Sequence, residues 1–211
     1  PFRGLSRFEA RDRGVYFGRS LEVAQALQVL QIRGFVALLG PSGSGKSSLA
    51  CAGLLPAIED GSLQTWPPQW DTLSMTPGVE PQRTLLKLLE PFLALSGAPN
   101  QADLLSALGR RAELTGRGIA LLIDQLEEIA TVATEGSRDW IAEFLALSAE
   151  QAVPGFRVVV TARRDLLDPL LELSALGRAL LKNGLLVEPM SSDTWAEVLD
   201  QSLAAYGYRG E

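Results

Sequence analysis

The stretch Gly40-Pro41-Ser42-Gly43-Ser44-Gly45-Lys46-Ser47 restricts this chain more than any other feature of its sequence. It fits the pattern GxxxxGK[ST] and stands between an apolar run, Phe35 to Leu39, and a stretch with helical spacing, Lys46 to Ile58, the strand-to-helix setting that the pattern requires. Glycines at 40, 43 and 45 lack a Cβ, so the backbone can curl and turn successive N–H groups onto one anion. A helix starting near Lys46 adds unpaired amides and the positive end of its dipole. Residues Gly40, Pro41, Ser42, Gly43, Ser44, Gly45, Lys46, Ser47 and Ser48 are therefore the expected nucleotide-binding residues. Lys46 is expected to reach the β- and γ-phosphates, and the Ser47 hydroxyl to ligate Mg²⁺, a hard ion that takes oxygen donors. The competing reading is a glycine-rich turn that holds no ligand.

Around this loop, short apolar runs bounded by turn residues predict buried strands at Phe35 to Leu39, Ile119 to Ile123, Phe156 to Thr161 and Leu185 to Val187, with Trp70 to Met75 a further candidate. Helical spacing predicts helices over Ser20 to Ile32, Lys46 to Ile58, Gln82 to Leu95, Gln101 to Arg111, Ser137 to Ser148, Ser174 to Leu181 and Ser192 to Leu203. Strands alternating with helices indicate an α/β layered fold with a mostly parallel central sheet covered on both faces. Ligands of such sheets bind beyond the carboxyl ends of the strands.

Two of the predicted strands end in polar residues suited to that edge. Ala120-Leu121-Leu122-Ile123-Asp124 is an apolar strand ending in a carboxylate, the way a Walker B aspartate is presented to a metal, so Asp124 joins Ser47 as an expected metal residue. Glu127 and Glu128 follow, and at most one of them is the base that activates water; the alternative is that both begin a helix, where acids favour the dipole. Phe156 to Arg163 is a strand ending beside the expected γ-phosphate. Arg163 either reads that phosphate with its planar fork or pairs with Asp165 or Asp168 on the surface. The expected catalytic set is Lys46, Asp124, Glu127, Glu128 and Arg163.

Composition excludes several other chemistries. The chain has no histidine and a single cysteine, Cys51, which removes disulfides, cysteine-histidine zinc sites and imidazole relays. Cys51 lies among Leu49, Ala50 and Ala52 and is expected to be a buried apolar residue. A net charge of -6 gives no overall positive field for a phosphate backbone, so nucleic acid is not the default partner. Arg3, Arg7, Arg11, Arg13 and Arg19 form a local basic cluster, expected to be a solvated face. No apolar run approaches the ~20 residues of a membrane span, and the start does not read as a signal peptide, so a cytoplasmic location without membrane attachment is expected. At 211 residues there is room for one domain with extensions. The missing initiator Met and the sequence of the last residues suggest part of a longer polypeptide.

Four motifs in order resemble the STAND branch of signalling P-loop ATPases, and within it a bacterial group. Pro1-Phe2-Arg3-Gly4-Leu5 with Phe8, Asp12 and Tyr16-Phe17-Gly18-Arg19 resembles the group's opening element, and Phe35 to Ala52 its phosphate loop and helix. Asp124-Gln125-Leu126-Glu127-Glu128 is similar to its acidic motif, and Thr161-Ala162-Arg163-Arg164-Asp165 to its sensor strand. Ser20 departs from the family's usual Glu, and Leu126 and Leu166 from its usual Phe.

The resemblance implies a three-layer P-loop NTPase sheet of the ASCE type that binds ATP or ADP with Mg²⁺. It implies that Phe17, Gly18 and Arg19 lie against the adenosine, with Pro189 near the base. An NTPase domain over residues 1–190 would include an N-terminal segment and helix, 1–33, near the adenine side, and residues 191–211 would begin a helical lid. The function implied is a slowly hydrolysing, ATP-driven regulatory switch within a larger signalling or defence-type protein. It would be partnered by effector and sensor domains of the same polypeptide, closed with ADP and assembling as a homo-oligomer with ATP. The alternative is an AAA+-like remodelling or helicase-loading ATPase, which DNA-stimulated turnover would reveal. A metabolite kinase is a third class, for which no acceptor-binding element is identifiable. No NKxD-like guanine-reading motif follows the sensor strand, Lys182-Asn183-Gly184 being the nearest approach.

Overall fold

Five strands pair side by side, all parallel, in a computed structural model that describes residues 7–94, 97, 99–205 and 207. They are β1 (Phe35–Gly40), β2 (Gln69–Met75), β3 (Arg117–Ile123), β4 (Phe156–Arg163) and β5 (Gly184–Leu186), in the order β2-β3-β4-β1-β5. The opening element Pro1-Phe2-Arg3-Gly4-Leu5, Leu95 of a predicted helix, and residues 208–211 lie outside the described residues.

Parallel strands need crossover connections, and helices supply them. They are α1 (Ser20–Arg33), α2 (residues 46–59), α3 (Pro81–Leu89), α4 (Gln101–Thr115), α5 (Glu128–Thr131), α6 (Glu135–Glu150), α7 (Asp168–Glu172), α8 (Ser174–Lys182) and α9 (Ser192–Ala205). Within α2, Lys46–Ser48 and Leu55–Glu59 are α-helical and Leu49–Leu54 is π-helical. Side chains alternate across a strand, and here both faces are covered. Phe35, Ala37 and Leu39 of β1 share one core with Leu85 of α3, Leu104 and Leu108 of α4, Phe144 of α6 and Leu180 of α8. Val36 and Leu38 share the other with Leu30 of α1 and Leu49, Leu54 and Ile58 of α2. The result is the three-layer, ASCE-type P-loop NTPase fold, with β4 inserted between the strand that feeds the glycine loop and the strand that ends in Asp124.

The elements follow the predicted ones closely, with physical reasons for the differences. Helix α1 stops at Gly34, whose φ of 75° gives the left-handed cap that favours glycine, and α4 runs on to Thr115 before Gly116 ends it in the same way. Asn100 caps α4 by accepting the Asp103 N–H. Helix α3 ends at Leu89, well before Leu95. The candidate strand at Trp70 to Met75 is β2, one of the sheet's two edge strands, whose exposed and half-buried residues explain its weak apolar pattern.

Register brings the polar strand ends to one edge. Gly40 pairs with Arg163 across β1 and β4, Ile123 pairs with Val160 across β3 and β4, and Met75 pairs with Ile123 across β2 and β3. Asp124 and Thr161 are thus neighbours one step beyond a matched pair. Among the described residues, no helix is long and apolar enough to cross a membrane.

Candidate nucleotide site

The loop between β1 and α2 is shaped by its glycines. Gly43 and Gly45 have φ of 77° and 89°, a region costly for other residues. Gly40 is needed for a different reason: a Cβ there would sit 2.2 Å from the Val187 carbonyl oxygen and 2.8 Å from Ser44 Oγ. The loop is therefore packed directly against the chain leaving β5.

Lys46 is only 8% exposed, and its ammonium donates to the carbonyls of Gly40 at 2.9 Å and Pro41 at 2.8 Å. Among the described residues no carboxylate lies within ion-pair distance of it. Burial lowers its pKa below the ordinary lysine value, opposed by the charge of Glu127. A buried cation held only by neutral carbonyls, on a loop of left-handed glycines at a helix start, suits a polyanion.

Asp124 is 2% exposed and its two oxygens are engaged. Oδ1 accepts from Ser47 Oγ at 2.7 Å and from Thr161 Oγ1 at 2.6 Å, and Oδ2 accepts from an Arg7 guanidinium nitrogen at 2.8 Å. Immediately after it the chain turns sharply: Gln125 has φ of 61°, unusual for a residue with a side chain, and its N–H donates to Thr161 Oγ1 at 2.9 Å. A hydroxyl and a carboxylate in contact at the foot of a phosphate loop are the hard oxygen donors that Mg²⁺ takes, so the residues fit the ion.

The two glutamates after Asp124 separate. Glu127 is buried and its Oε2 accepts from the Arg163 backbone N–H at 3.2 Å, beside the loop. Glu128 starts α5 and its Oε2 accepts from the Gly78 N–H at 2.9 Å, which ties it to the segment leaving β2. The Arg163 side chain, 40% exposed, forks onto Asp165 at 3.2 and 2.6 Å. That hydrogen-bonded pairing raises the arginine's pKa and lowers the aspartate's. The backbone of Arg163 is at the loop, and its guanidinium is on the surface pair that the sequence offered as an alternative.

The basic cluster corrects one expectation. Arg11 and Arg13 are solvated, paired with Glu9 and Asp60, but Arg7 reaches Asp124 and Arg19 is buried. Arg19 donates to the Ser44 carbonyl at 2.9 Å and the Glu188 carbonyl at 2.7 Å, clamping the phosphate loop to the chain after β5, and it pairs with Glu22. Gly18, with φ of 81°, is the close contact of the opening element with α9, since a Cβ there would lie 2.4 Å from Val198. Phe17 is half-buried and Pro189 exposed. The Ser48 hydroxyl accepts the Phe8 N–H at 3.1 Å. Cys51 is buried and its thiol pKa is raised by burial.

The Asn183 side chain donates to the Ala179 carbonyl, and its own carbonyl accepts from the Ala37 N–H within β1. A depression of about 350 Å³, lined by residues including Gln64, Trp66 and Trp70, lies at the start of β2 and so at the opposite end of the sheet from Asp124.

Sequence reasoning missed Arg7 and Thr161 as partners of Asp124, which register and the path of the N-terminal segment bring together. Thr161 carried a signal, a lone hydroxyl residue inside an apolar strand; Arg7 carried none.

No curated protein matches the chain in sequence. Several solved structures share its fold. The Walker-type ATPase PABY2304 of Pyrococcus abyssi has a TM-score of 0.63 at 16% identity, over 97% of this chain and 62% of that one. The Aeropyrum pernix ORC2 protein, solved with ADPNP and ADP, has a TM-score of 0.61 at 13% identity, over 89% of this chain and 52% of that one. Cdc6p of Pyrobaculum aerophilum has a TM-score of 0.57 at 16% identity, over 95% and 54%. The chain thus spans between about half and three-fifths of these neighbours' lengths. These likenesses establish the fold, and sequence supplies the family: along all of residues 1–211 the chain matches novel STAND NTPase 1 (nSTAND1), and it belongs to that family of nucleotide-binding NTPases.

Proposed function

We propose that this domain binds ATP with Mg²⁺ on Gly40–Ser47 and acts as a slowly hydrolysing regulatory switch in a larger, cytoplasmic signalling or defence-type protein. The observation that carries the reading is the juxtaposition of the carbonyl-held Lys46 ammonium with the Ser47–Asp124 pair at the carboxyl edge of the sheet. Mg²⁺, when bound, neutralises charge on the β- and γ-phosphate oxygens. Ser47 would hold it through its hydroxyl and Asp124 would orient that shell, while Lys46 would exchange its carbonyl partners for phosphate oxygens.

Glu127 is the better candidate for the base that takes a proton from water, because it is buried beside the loop whereas Glu128 is bound to Gly78 N. Arg163 has its backbone at the loop, and reading a terminal phosphate requires its guanidinium to leave Asp165. Both side chains of that pair are exposed and screened by water, so the exchange strands no buried charge. Support for adenine comes from the motifs that resemble ATP-binding STAND proteins and from the lack of an NKxD-like motif after the sensor strand.

A switch of this kind joins the nucleotide to distant elements. The Arg19 clamp on Ser44 and Glu188 and the contact of Gly18 with Val198 in α9 give such a connection. The test is to identify the nucleotide retained by the purified full-length protein and to follow its assembly state. ADP retained by a monomer, with larger assemblies on exchange for ATP, supports the switch; rapid turnover stimulated by DNA, with no change of assembly, contradicts it.

A further inference from the structure

We propose that Arg7 is an in-chain competitor of the divalent cation: its guanidinium holds the Asp124 carboxylate until Mg²⁺ arrives with nucleotide, and Mg²⁺ binding frees the Arg7 side chain. This rests on the reading of the site as a Mg²⁺-nucleotide site.

The contact is specific. Asp124 Oδ1 is already taken by the hydroxyls of Ser47 and Thr161, and Arg7 takes Oδ2 at 2.8 Å, from 117 positions away in the chain. The approach of Arg7 is fixed by the residues after it. The Phe8 N–H donates to Ser48 Oγ at 3.1 Å, the Phe8 ring packs 5.7 Å from that of Tyr16, Glu9 and Asp12 cap a 3₁₀ turn reciprocally, and Arg13 reaches Asp60 at 3.1 Å. The segment is therefore strapped along α2, and its arginine shares the Asp124 carboxylate with Ser47, the expected metal ligand.

Three physical consequences follow. A carboxylate that is 2% exposed needs a compensating cation, and Arg7 supplies it. The guanidinium is itself 44% exposed, so it can withdraw into water without stranding a buried charge. A doubly charged ion oriented by the same carboxylate would repel a guanidinium 2.8 Å from it, and the two cannot share Asp124 without weakening each other. Exchange of one cation for the other keeps Asp124 compensated throughout and couples occupation of the metal position to release of the Arg7 guanidinium.

The test uses the full-length protein and its Arg7→Gln and Arg7→Ala variants. ATP affinity is measured by calorimetry across a series of Mg²⁺ concentrations, and tryptic cleavage at Arg7 is followed with ATP alone and with ATP plus Mg²⁺. Both variants are expected to reach half-maximal Mg²⁺ enhancement at about five- to tenfold lower Mg²⁺ than the unmodified protein, in the lower range of measured coupling between sites. The unmodified protein is expected to be cleaved faster at Arg7 with Mg²⁺ present. An unchanged or raised Mg²⁺ requirement in both variants, or cleavage indifferent to Mg²⁺, overturns the proposal while the nucleotide site stands. Absence of any Mg²⁺ enhancement in the unmodified protein overturns the site reading itself, and this proposal with it.

Discussion

The hydroxyl of Ser47 donates to Oδ1 of Asp124 at 2.7 Å, joining the first turn of α2 to the end of β3 across 77 positions of sequence. Thr161 Oγ1 meets the same oxygen from β4 at 2.6 Å, so three elements meet at one buried carboxylate. Replacing Thr161 by Val keeps the shape and removes that bond. Leaving the buried carboxylate short of a donor is expected to cost about 1–3 kcal/mol in urea unfolding. It should also weaken Mg²⁺-dependent nucleotide binding, whereas a variant as stable as the parent would show that Thr161 does not support Asp124.

The different partners of the two glutamates predict different phenotypes. Glu127→Gln is expected to retain ATP binding and lose hydrolysis by at least about a hundredfold, the range of a missing general base. Glu128→Gln should hydrolyse normally, because its contact is with Gly78 N at 2.9 Å. Single-turnover measurements on both variants check this, and the reverse pattern would assign the base to Glu128.

Much of the candidate site was legible because its signals are local. The glycine loop, the apolar strand ending in Asp124 and the polar end of β4 each announce themselves within about ten residues, and parallel pairing places all three at one edge. The partners of those residues were not legible. Arg7 and Arg19 look like members of one basic cluster, but one reaches Asp124 and the other clamps Ser44 to Glu188, which are contacts of 117 and 169 positions. Periodicity carries no information at that range. Short helices such as α5 and α7 were also missed, since four or five residues give less than two turns of pattern.

Two glycines in helix and loop should respond oppositely to alanine. At Gly40 the new Cβ would fall 2.2 Å from the Val187 carbonyl oxygen, and a loss of about 1–3 kcal/mol with impaired nucleotide binding is expected. At Gly136, in the first turn of α6, a Cβ meets nothing within 4 Å, and Gly136→Ala should raise stability by a fraction of about 1 kcal/mol. Thermal or urea unfolding of the pair checks both signs.

An acid-sensitive contribution to stability is expected at the far end of the sheet. Hydrogen bonds from Arg117 and Arg111 hold the Asp71 carboxyl below the usual aspartate range and tie β2 to β3 and α4. A depressed carboxyl contributes stability above its unfolded-state pKa of about 3.9 and loses it as pH falls through the lower folded value. Asp71→Asn should therefore cost about 1 kcal/mol at pH 7 and progressively less below pH ~4, Arg117 being solvent-screened. Equal losses at pH 7 and in acid would contradict the pairing.

The central claim is that Mg²⁺-nucleotide is held between the loop at Lys46 and the carboxylate of Asp124. Calorimetric titration of ATP with and without Mg²⁺ into the protein and its Asp124→Asn variant tests it most directly. The account predicts that Mg²⁺ tightens ATP binding by the parent and that Asp124→Asn abolishes that enhancement while leaving Mg²⁺-free binding nearly intact. An identical Mg²⁺ enhancement in both proteins would contradict it.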